Sequence, residues 1–545
     1  MKTKITLFAL LSCLISFAQS NLNVTAITPI IATVAYQGEG ESEAYYGEGQ
    51  YEMYLDNTDG IIDKPIILLD GFDPSDTRDI PAIYASLNYG TGQNLIDDLR
   101  ALGFDIFILN FHNYIRMGTS TDVAGGGDFI QRNSMVLAEL INQVNALKVG
   151  NEQNVVIGGS TGGLIARYGL RYMEMNGMDH DTRLYISFDA PHKGANIPIG
   201  FQHLFNYLGY GPVNNVMMQA LVDSMLKSTL SRQILIDQFE GHLQSGDEVE
   251  FDPAILLPTG HPTVRSQFQS ELDAMGLPQD TRNVAVANGS GNGTMNGTPD
   301  MVVMDHTFNI SATERAIIDL RFTPLAGQTN QVSRFRAQTF VFNFWITVYE
   351  SMASSMAPAS MSGLDSAPGS RFDLMSLAPL AGNDPMLTEF FNNLLIDYFT
   401  FTPTHSALAA DGNPNWYLPV TSGSFNTPFD AFHVPSENEN HATLNAANLA
   451  FVMDEILNPP LAVAENTFGQ LQIQNPVGNT INMYSHVVIA NAEIEIRDLS
   501  GKVFVSLTDQ NISGEYFIAA DLSSGLYLMT ISNSNGTITK KLVKN

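Results

Sequence analysis

Residues 157 to 163 read Ile157-Gly158-Gly159-Ser160-Thr161-Gly162-Gly163. Val155, Val156 and Ile157 form an apolar β-branched run of the kind that makes a buried parallel strand. Leu164 to Arg171 reads as the opening of a helix. Gly158, Ser160 and Gly162 satisfy G-x-S-x-G, and a strand, a tight turn and a helix are the context that makes this pattern a nucleophile elbow. A serine on so sharp a turn needs neighbours without a Cβ, so that its hydroxyl stands clear at the end of the sheet. In a chain with 44 glycines a chance match is the alternative; the flanking strand and helix weigh against it.

Working outward, Pro65 to Leu69 is a buried strand followed by a turn at Asp70-Gly71-Phe72. Asn94 caps a helix through Leu102 that Gly103 closes. Phe104 to Leu109 is a further apolar strand, residues 128 to 147 carry apolar groups at helical spacing, and Leu184 to Phe188 is a strand. Strands alternating with helices imply a parallel α/β sheet. Residues 21 to 60 alternate as edge hairpins do. Downstream, residues 197 to 240 are rich in Leu, Met, Phe and Tyr, and suit either a cap over a pocket or an ordinary core helix pair. Arg282 to Asn288 is a seventh strand, and a β-rich insertion follows, clearest at Ala316 to Phe322 and Phe335 to Tyr349. Asn393 to Ala409 is expected to return to the main sheet, and Ala446 to Leu457 to close it as a helix that Asn458-Pro459-Pro460 ends.

These elements resemble the α/β-hydrolase superfamily over roughly residues 60 to 460. Its lipase-like members have His-Gly before an oxyanion loop where this chain has Asp70-Gly71, and often carry Thr-Pro-His-x-Gly where it has Ala190-Pro191-His192-Lys193-Gly194. The resemblance implies an α/β-hydrolase fold across residues 19–460, with a cap at 197–280 and the insertion at 294–390.

The 545 residues are too many for one compact domain. A formal charge of −30, from 26 basic and 56 acidic residues, argues against a nucleic-acid partner. Lys2, Lys4 and the apolar run from Ile5 to Phe17 form a secretory signal peptide, residues 1–18, with cleavage expected after Ala18. The only cysteine, Cys13, would leave with it, so no disulfide or cysteine-ligated metal is expected. No later segment is long and apolar enough to span a bilayer.

The last eighty residues form a separate unit after a linker at 461–465. Asn475-Pro476, Ile494 to Lys502, Asp521 to Leu528, and Lys540-Lys541 trace short alternating strands with turns, hence a small C-terminal β-sandwich. Residues 466–545 closely resemble the type-A C-terminal sorting domain of type IX secretion cargo, which implies the type IX machinery as a partner and a secreted or cell-surface protein. A carbohydrate-binding sandwich is the alternative; the lack of clustered aromatics weighs against it.

A serine hydroxyl needs a positioned base. In α/β hydrolases the chain order is Ser, acid, His, which leaves His405, His433 and His441. His441 lies on a loop just before the closing helix, where the superfamily places its base, and is selected; His433, beside Phe432 and Val434, reads as a core histidine. For the acid, Thr402-Pro403-Thr404-His405-Ser406-Ala407 resembles the end of a lipase motif, but Phe399 stands in the aspartate's place. Asp397, Asp411 and Asp300 are weighed, and Asp430 is selected as a loop carboxylate shortly before the base. The backbone N–H groups of Phe72 and Thr161 are the expected oxyanion donors. His242 and His261 lack a clustered partner set, and neither metal nor cofactor is required. The expected function is a secreted serine hydrolase cleaving small-molecule or lipid carboxylic esters through an acyl-enzyme. An amidase or peptidase on the same fold, and an inactive surface-binding protein, remain open.

Overall fold

The computed structural model describes residues 24–382, 384–420, 425–458, 471–533 and 536–544. The signal peptide at 1–18 with its Cys13, and the linker at 461–465, lie outside the described residues. The chain divides into two compact units after Met453.

The first unit is built on an eight-stranded sheet. In chain order its first seven strands are β1 (Thr28–Ile31), β2 (Glu48–Tyr54), β3 (Pro65–Leu69), β4 (Asp105–Asn110), β5 (Asn154–Gly159), β6 (Thr182–Phe188) and β7 (Arg282–Val286). Four strands follow in the insertion: β8 (Val302–Asn309), β9 (Glu314–Arg321), β10 (Thr329–Val341) and β11 (Phe344–Met356). Then come β12 (Gly369–Asp373), β13 (Tyr398–Pro403) and β14 (Ala431–His433), the last strand of the main sheet. The sheet order is β1-β2-β4-β3-β5-β6-β7-β14. All neighbours from β4 to β14 run parallel, and β2 alone is antiparallel to both its neighbours. Every residue of β3 and β4 is buried, as strands covered by helices on both faces must be. By contrast β2 alternates buried and half-buried positions.

Helices α1 (Ile80–Ser86), α2 (Leu95–Ala101), α3 (Ile130–Leu147) and α4 (Thr161–Met175) connect these strands. Asn94 caps α2 by accepting the Ile96 N–H, and Gly103 follows at φ +85°. Between β6 and β7 lie α5 (Ile199–Tyr210), α6 (Val216–Leu221), α7 (Thr229–Ile234) and α8 (Val264–Met275), and α9 (Pro385–Asn392) comes after β12. Asp384 caps α9, with Pro385 at its first position, where no N–H is needed. Later in the chain come the single turn α10 (Thr404–Ala407) and the twelve-residue helix α11 (Ala446–Leu457).

The insertion forms its own antiparallel sheet, β8-β9-β10-β11, with α5 packed against β9, β10 and β11. The run 335–349 resolves into parts of two strands, broken by a turn at Phe342 and Asn343, both at positive φ. One sequence expectation is corrected here. Residues 393–409 do not rejoin the main sheet: β13 pairs antiparallel with β12 in a two-stranded sheet of its own. The main sheet is completed by β14, three residues long, paired with β7 through Val284–Ala431 and Val286–His433.

The C-terminal unit holds β15 (Leu471–Ile473), β16 (Thr480–Asp498), β17 (Val503–Ala519), β18 (Gly525–Asn533) and β19 (Gly536–Lys544). Its antiparallel order is β15-β16-β18-β19, with β17 also on β16. Register shifts within β16 bend the long strand, and Ile481, Ile494, Ile496, Ile512, Met529 and Ile531 fill a core of its own. Its strands alternate buried and exposed residues, as a sheet wet on one side must.

Candidate active site

Ser160 follows β5 and precedes α4, at φ 52° and ψ −129°. The turn is locked by the Ser160 N–H donating to the Phe188 carbonyl at 2.8 Å. The two glycines of the motif are both required sterically. A Cβ on Gly158 would lie 2.3 Å from the Gly162 carbonyl, and one on Gly162 would lie 2.7 Å from the Asp70 carbonyl. Gly159 faces open space.

The Ser160 hydroxyl donates to His441 Nε2 at 2.7 Å, and His441 Nδ1–H donates to Asp189 Oδ2 at 2.6 Å. The bond to Asp189 fixes the tautomer, leaving Nε2 free to accept. The β12–β13 pair holds the imidazole. The His441 N–H donates to the Arg371 carbonyl at 2.9 Å, the Ser370 hydroxyl lies 3.2 Å from Nδ1, and Phe401 packs edge-on with ring centroids 4.7 Å apart.

Asp189 is the residue immediately after β6, the strand beside the elbow strand. It sits at φ 55° and is fully buried. Its N–H donates to the Val286 carbonyl at 2.7 Å. Its Oδ1 accepts the Asn288 N–H at 3.1 Å and its Oδ2 the Ala442 N–H at 3.2 Å. A buried carboxylate with this many donors is held in place.

Asp430, the expected acid, is not at His441. It is exposed, and its Oδ2 accepts the Asn283 N–H at 2.7 Å. Asp430 precedes β14 and Asn283 opens β7, so its carboxylate sits at the start of parallel strands, whereas Ser160 and Asp189 lie where such strands end. The other aspartates are elsewhere too. Asp411 pairs with Lys193 at 2.8 Å, Asp300 accepts from Asn330, and Asp397 is exposed before β13. His405 Nε2 donates to the Leu418 carbonyl at 3.0 Å, and burial holds its imidazole below the ordinary range. His433 sits on β14, likewise lowered by burial. His192, in the Pro191-His192 segment, is fully buried against Ser187 at 2.7 Å; burial first, then Arg167 and Lys193, keep it neutral. Among the described residues no group of His, Cys, Asp and Glu could hold a metal ion.

Thr161 directly follows the serine, and the loop carrying Gly71 and Phe72 comes up to it. Thr161 opens α4, so its N–H has no acceptor within the helix. The loop after β3 approaches closely, since a Cβ on Gly71 would lie 3.1 Å from the Ser160 Cβ. Arg78 clamps this loop, with Nη2 3.1 Å from Asp70 Oδ1 and 2.9 Å from the Phe72 carbonyl. Burial raises the Asp70 carboxyl, and Arg78 opposes that.

An apolar slot is walled by Phe72 of this loop and by Phe401, which packs on His441, with Phe201, Phe399 and Leu221 among others. Phe399, which stands where a lipase relative would have aspartate, is buried slot wall. The slot shares Phe205, Leu221 and Met225 with a cavity of about 380 Å³ walled by α5, α6 and α9 through residues such as Leu208, Met218 and Phe390.

The strand order, the elbow after β5 and the loop histidine after the last strand define an α/β-hydrolase fold. Residues 475–545 match the secretion system C-terminal sorting domain family. That tail marks the chain as a type IX cargo, secreted or held at the cell surface. No helix among the described residues is long and apolar enough to cross a membrane. No curated protein matches the chain in sequence. Solved structures similar to it include an esterase from Pyrobaculum calidifontis, at 12% identity and TM-score 0.22, covering 39% of this chain and 60% of that one. Est1E from Butyrivibrio proteoclasticus is similar at 8% identity and TM-score 0.22, covering 47% and 76%. A bacterial heroin esterase is similar at 13% identity and TM-score 0.25, covering 51% and 72%.

The residues that sequence reasoning missed are Asp189 and the β12–β13 cradle of His441. The signal for Asp189 was present: an aspartate directly after the apolar run Leu184 to Phe188.

Proposed function

We propose that the first unit is a serine hydrolase cleaving carboxylic esters with an apolar acyl or alcohol chain. The observation that carries this reading is the continuous path from Ser160 Oγ through His441 to Asp189, at 2.7 and 2.6 Å. His441 Nε2 takes the Ser160 proton as Oγ attacks the ester carbonyl, and Asp189 stabilises the imidazolium. The Thr161 N–H and the Phe72 N–H receive the oxyanion, worth roughly 3 kcal/mol per donor in comparable sites. The imidazolium then protonates the leaving alcohol, and water activated by His441 hydrolyses the acyl-enzyme. The apolar slot beginning at Phe72 supports an extended hydrocarbon on one side of the ester.

Incubation with a fluorophosphonate, followed by peptide mapping, is expected to place one phosphonyl group on Ser160, with none on the Ser160→Ala protein. Labelling elsewhere, or no labelling of folded protein, rejects the reading. The chain pocket makes a second prediction. Leu221 lies at the junction of slot and cavity. Leu221→Trp is therefore expected to lower kcat/KM on a dodecanoate ester by about tenfold, with the acetate ester within about twofold. Equal loss on both esters would place the hydrocarbon elsewhere.

A further inference from the structure

The hairpin formed by β10 and β11 outruns the sheet it belongs to. Its neighbour β9 begins at Glu314 opposite Thr339, and the Thr313 carbonyl accepts the Phe340 N–H at 2.8 Å. Beyond that point the hairpin continues as two strands only, through the pairs Phe340–Trp345 and Val341–Phe344. Residues 337–349 read Ala-Gln-Thr-Phe-Val-Phe-Asn-Phe-Trp-Ile-Thr-Val-Tyr, thirteen positions without a charged side chain in a chain of net charge −30. Phe342 is 90% exposed and Phe344 72%, and Phe340, Ile346, Val348 and Tyr349 are exposed with them. Paired residues share a face and successive ones alternate, so Val341, Phe344, Ile346 and Tyr349 on one side and Phe340 with Trp345 on the other leave both faces of the hairpin end apolar.

The fold gains nothing from Phe342, the most exposed of these side chains. Phe342 and Asn343 have φ 49° and 68°, the left-handed pair that a two-residue hairpin turn demands and that Asn-Gly meets at least cost. A phenylalanine there is strained and buries nothing in its own chain.

Three features select the occupant. Phenylalanine and tryptophan together suit the boundary between hydrocarbon and lipid headgroups. The Arg315 guanidinium lies over the Trp345 ring at 4.2 Å, and its Nε donates to Gln338 at 2.8 Å. Among the described residues no carboxylate pairs with it, so its charge is available to a phosphate at the level of Trp345. The acidic chain as a whole repels an anionic membrane, leaving a zwitterionic phospholipid surface as the match.

We propose that the β10–β11 hairpin is a lipid-surface anchor, seating Phe340, Phe342 and Phe344 in a zwitterionic phospholipid layer with Arg315 at the phosphates. This goes beyond the esterase reading, because it needs no chemistry at Ser160.

The test uses the full chain lacking residues 1–18 and carrying Ser160→Ala, so that binding is read without hydrolysis. Flotation with phosphatidylcholine vesicles is expected to carry the protein up, and Phe342→Ser with Phe344→Ser to lower the bound fraction at least tenfold. Both positions are exposed, so unfolding is not expected, and circular dichroism checks it. In a Trp416→Phe background, Trp345 emission is expected to shift blue on binding and to be quenched by brominated phosphatidylcholine. The same double substitution in the Ser160 protein is expected to leave turnover of a soluble acetate ester unchanged. Turnover absent from both proteins would defeat the esterase reading and leave the flotation result standing. The anchor is overturned if vesicles do not bind, if the double variant binds equally, or if Trp345 is not quenched. A concentration-dependent dimer abolished by the double variant, without vesicle binding, overturns it in favour of a contact between two copies.

Discussion

Asp189→Asn is expected to lower kcat on an activated short ester by about 10⁴, the scale of a triad left with its imidazole in the wrong tautomer. The asparagine amide would donate to His441 Nδ1 and push the ring proton to Nε2, where it can no longer accept from Ser160. There is a structural cost as well. The Asn288 and Ala442 N–H groups both donate to the Asp189 carboxylate. An amide offers one acceptor oxygen, so one buried N–H loses its partner at about 1–3 kcal/mol. The variant is therefore expected to be less stable but folded, as denaturant melts would record, with the activity loss far exceeding any unfolded fraction. Asp430→Asn is the comparison. Its side-chain oxygen can still accept the Asn283 N–H, and kcat is expected to stay within about twofold, since the carboxylate touches no reacting group. Severe loss at Asp430 with normal turnover at Asp189 would reverse the assignment.

That contrast shows what the sequence makes legible. The elbow is local: strand, glycine turn and helix lie within 22 residues, and the steric need for Gly158 arises inside that stretch, at Gly162. The placement of His441 follows from loop order alone. Asp189 meets the base only because β6 lies beside β5, and because a loop 252 residues later returns His441 to it. The search for an acid near the base in sequence led to Asp430, near in number and at the wrong end of its strand. The strand β14 has three residues, too few to show alternation, whereas β13 alternates well but pairs with β12. In residues 335–349 the turn falls on Phe342-Asn343, without the glycine or proline that marks a break, so the sequence shows no boundary between the two strands.

Ser160→Ala is expected to cost more in turnover than any other single change, about 10⁶ in kcat, since no other group at the elbow can attack. Truncation one step further, to glycine, has an effect on stability of the opposite sign to a core truncation. Ser160 holds φ 52° and ψ −129°, a region that side-chain-bearing residues occupy only under constraint, at a cost of order 1–3 kcal/mol. Alanine inherits that strain because its Cβ remains. Glycine relieves it, less about 0.5–1 kcal/mol for the extra freedom of the unfolded chain. Ser160→Gly is therefore expected to be as inactive as Ser160→Ala but more resistant to urea, by about 1 kcal/mol at equal denaturant slope. Paired unfolding curves and one ester assay decide the matter. Equal midpoints for the two variants would mean that the elbow stores no strain at Ser160, and residual turnover above about a hundredth of the parent would mean that another group attacks.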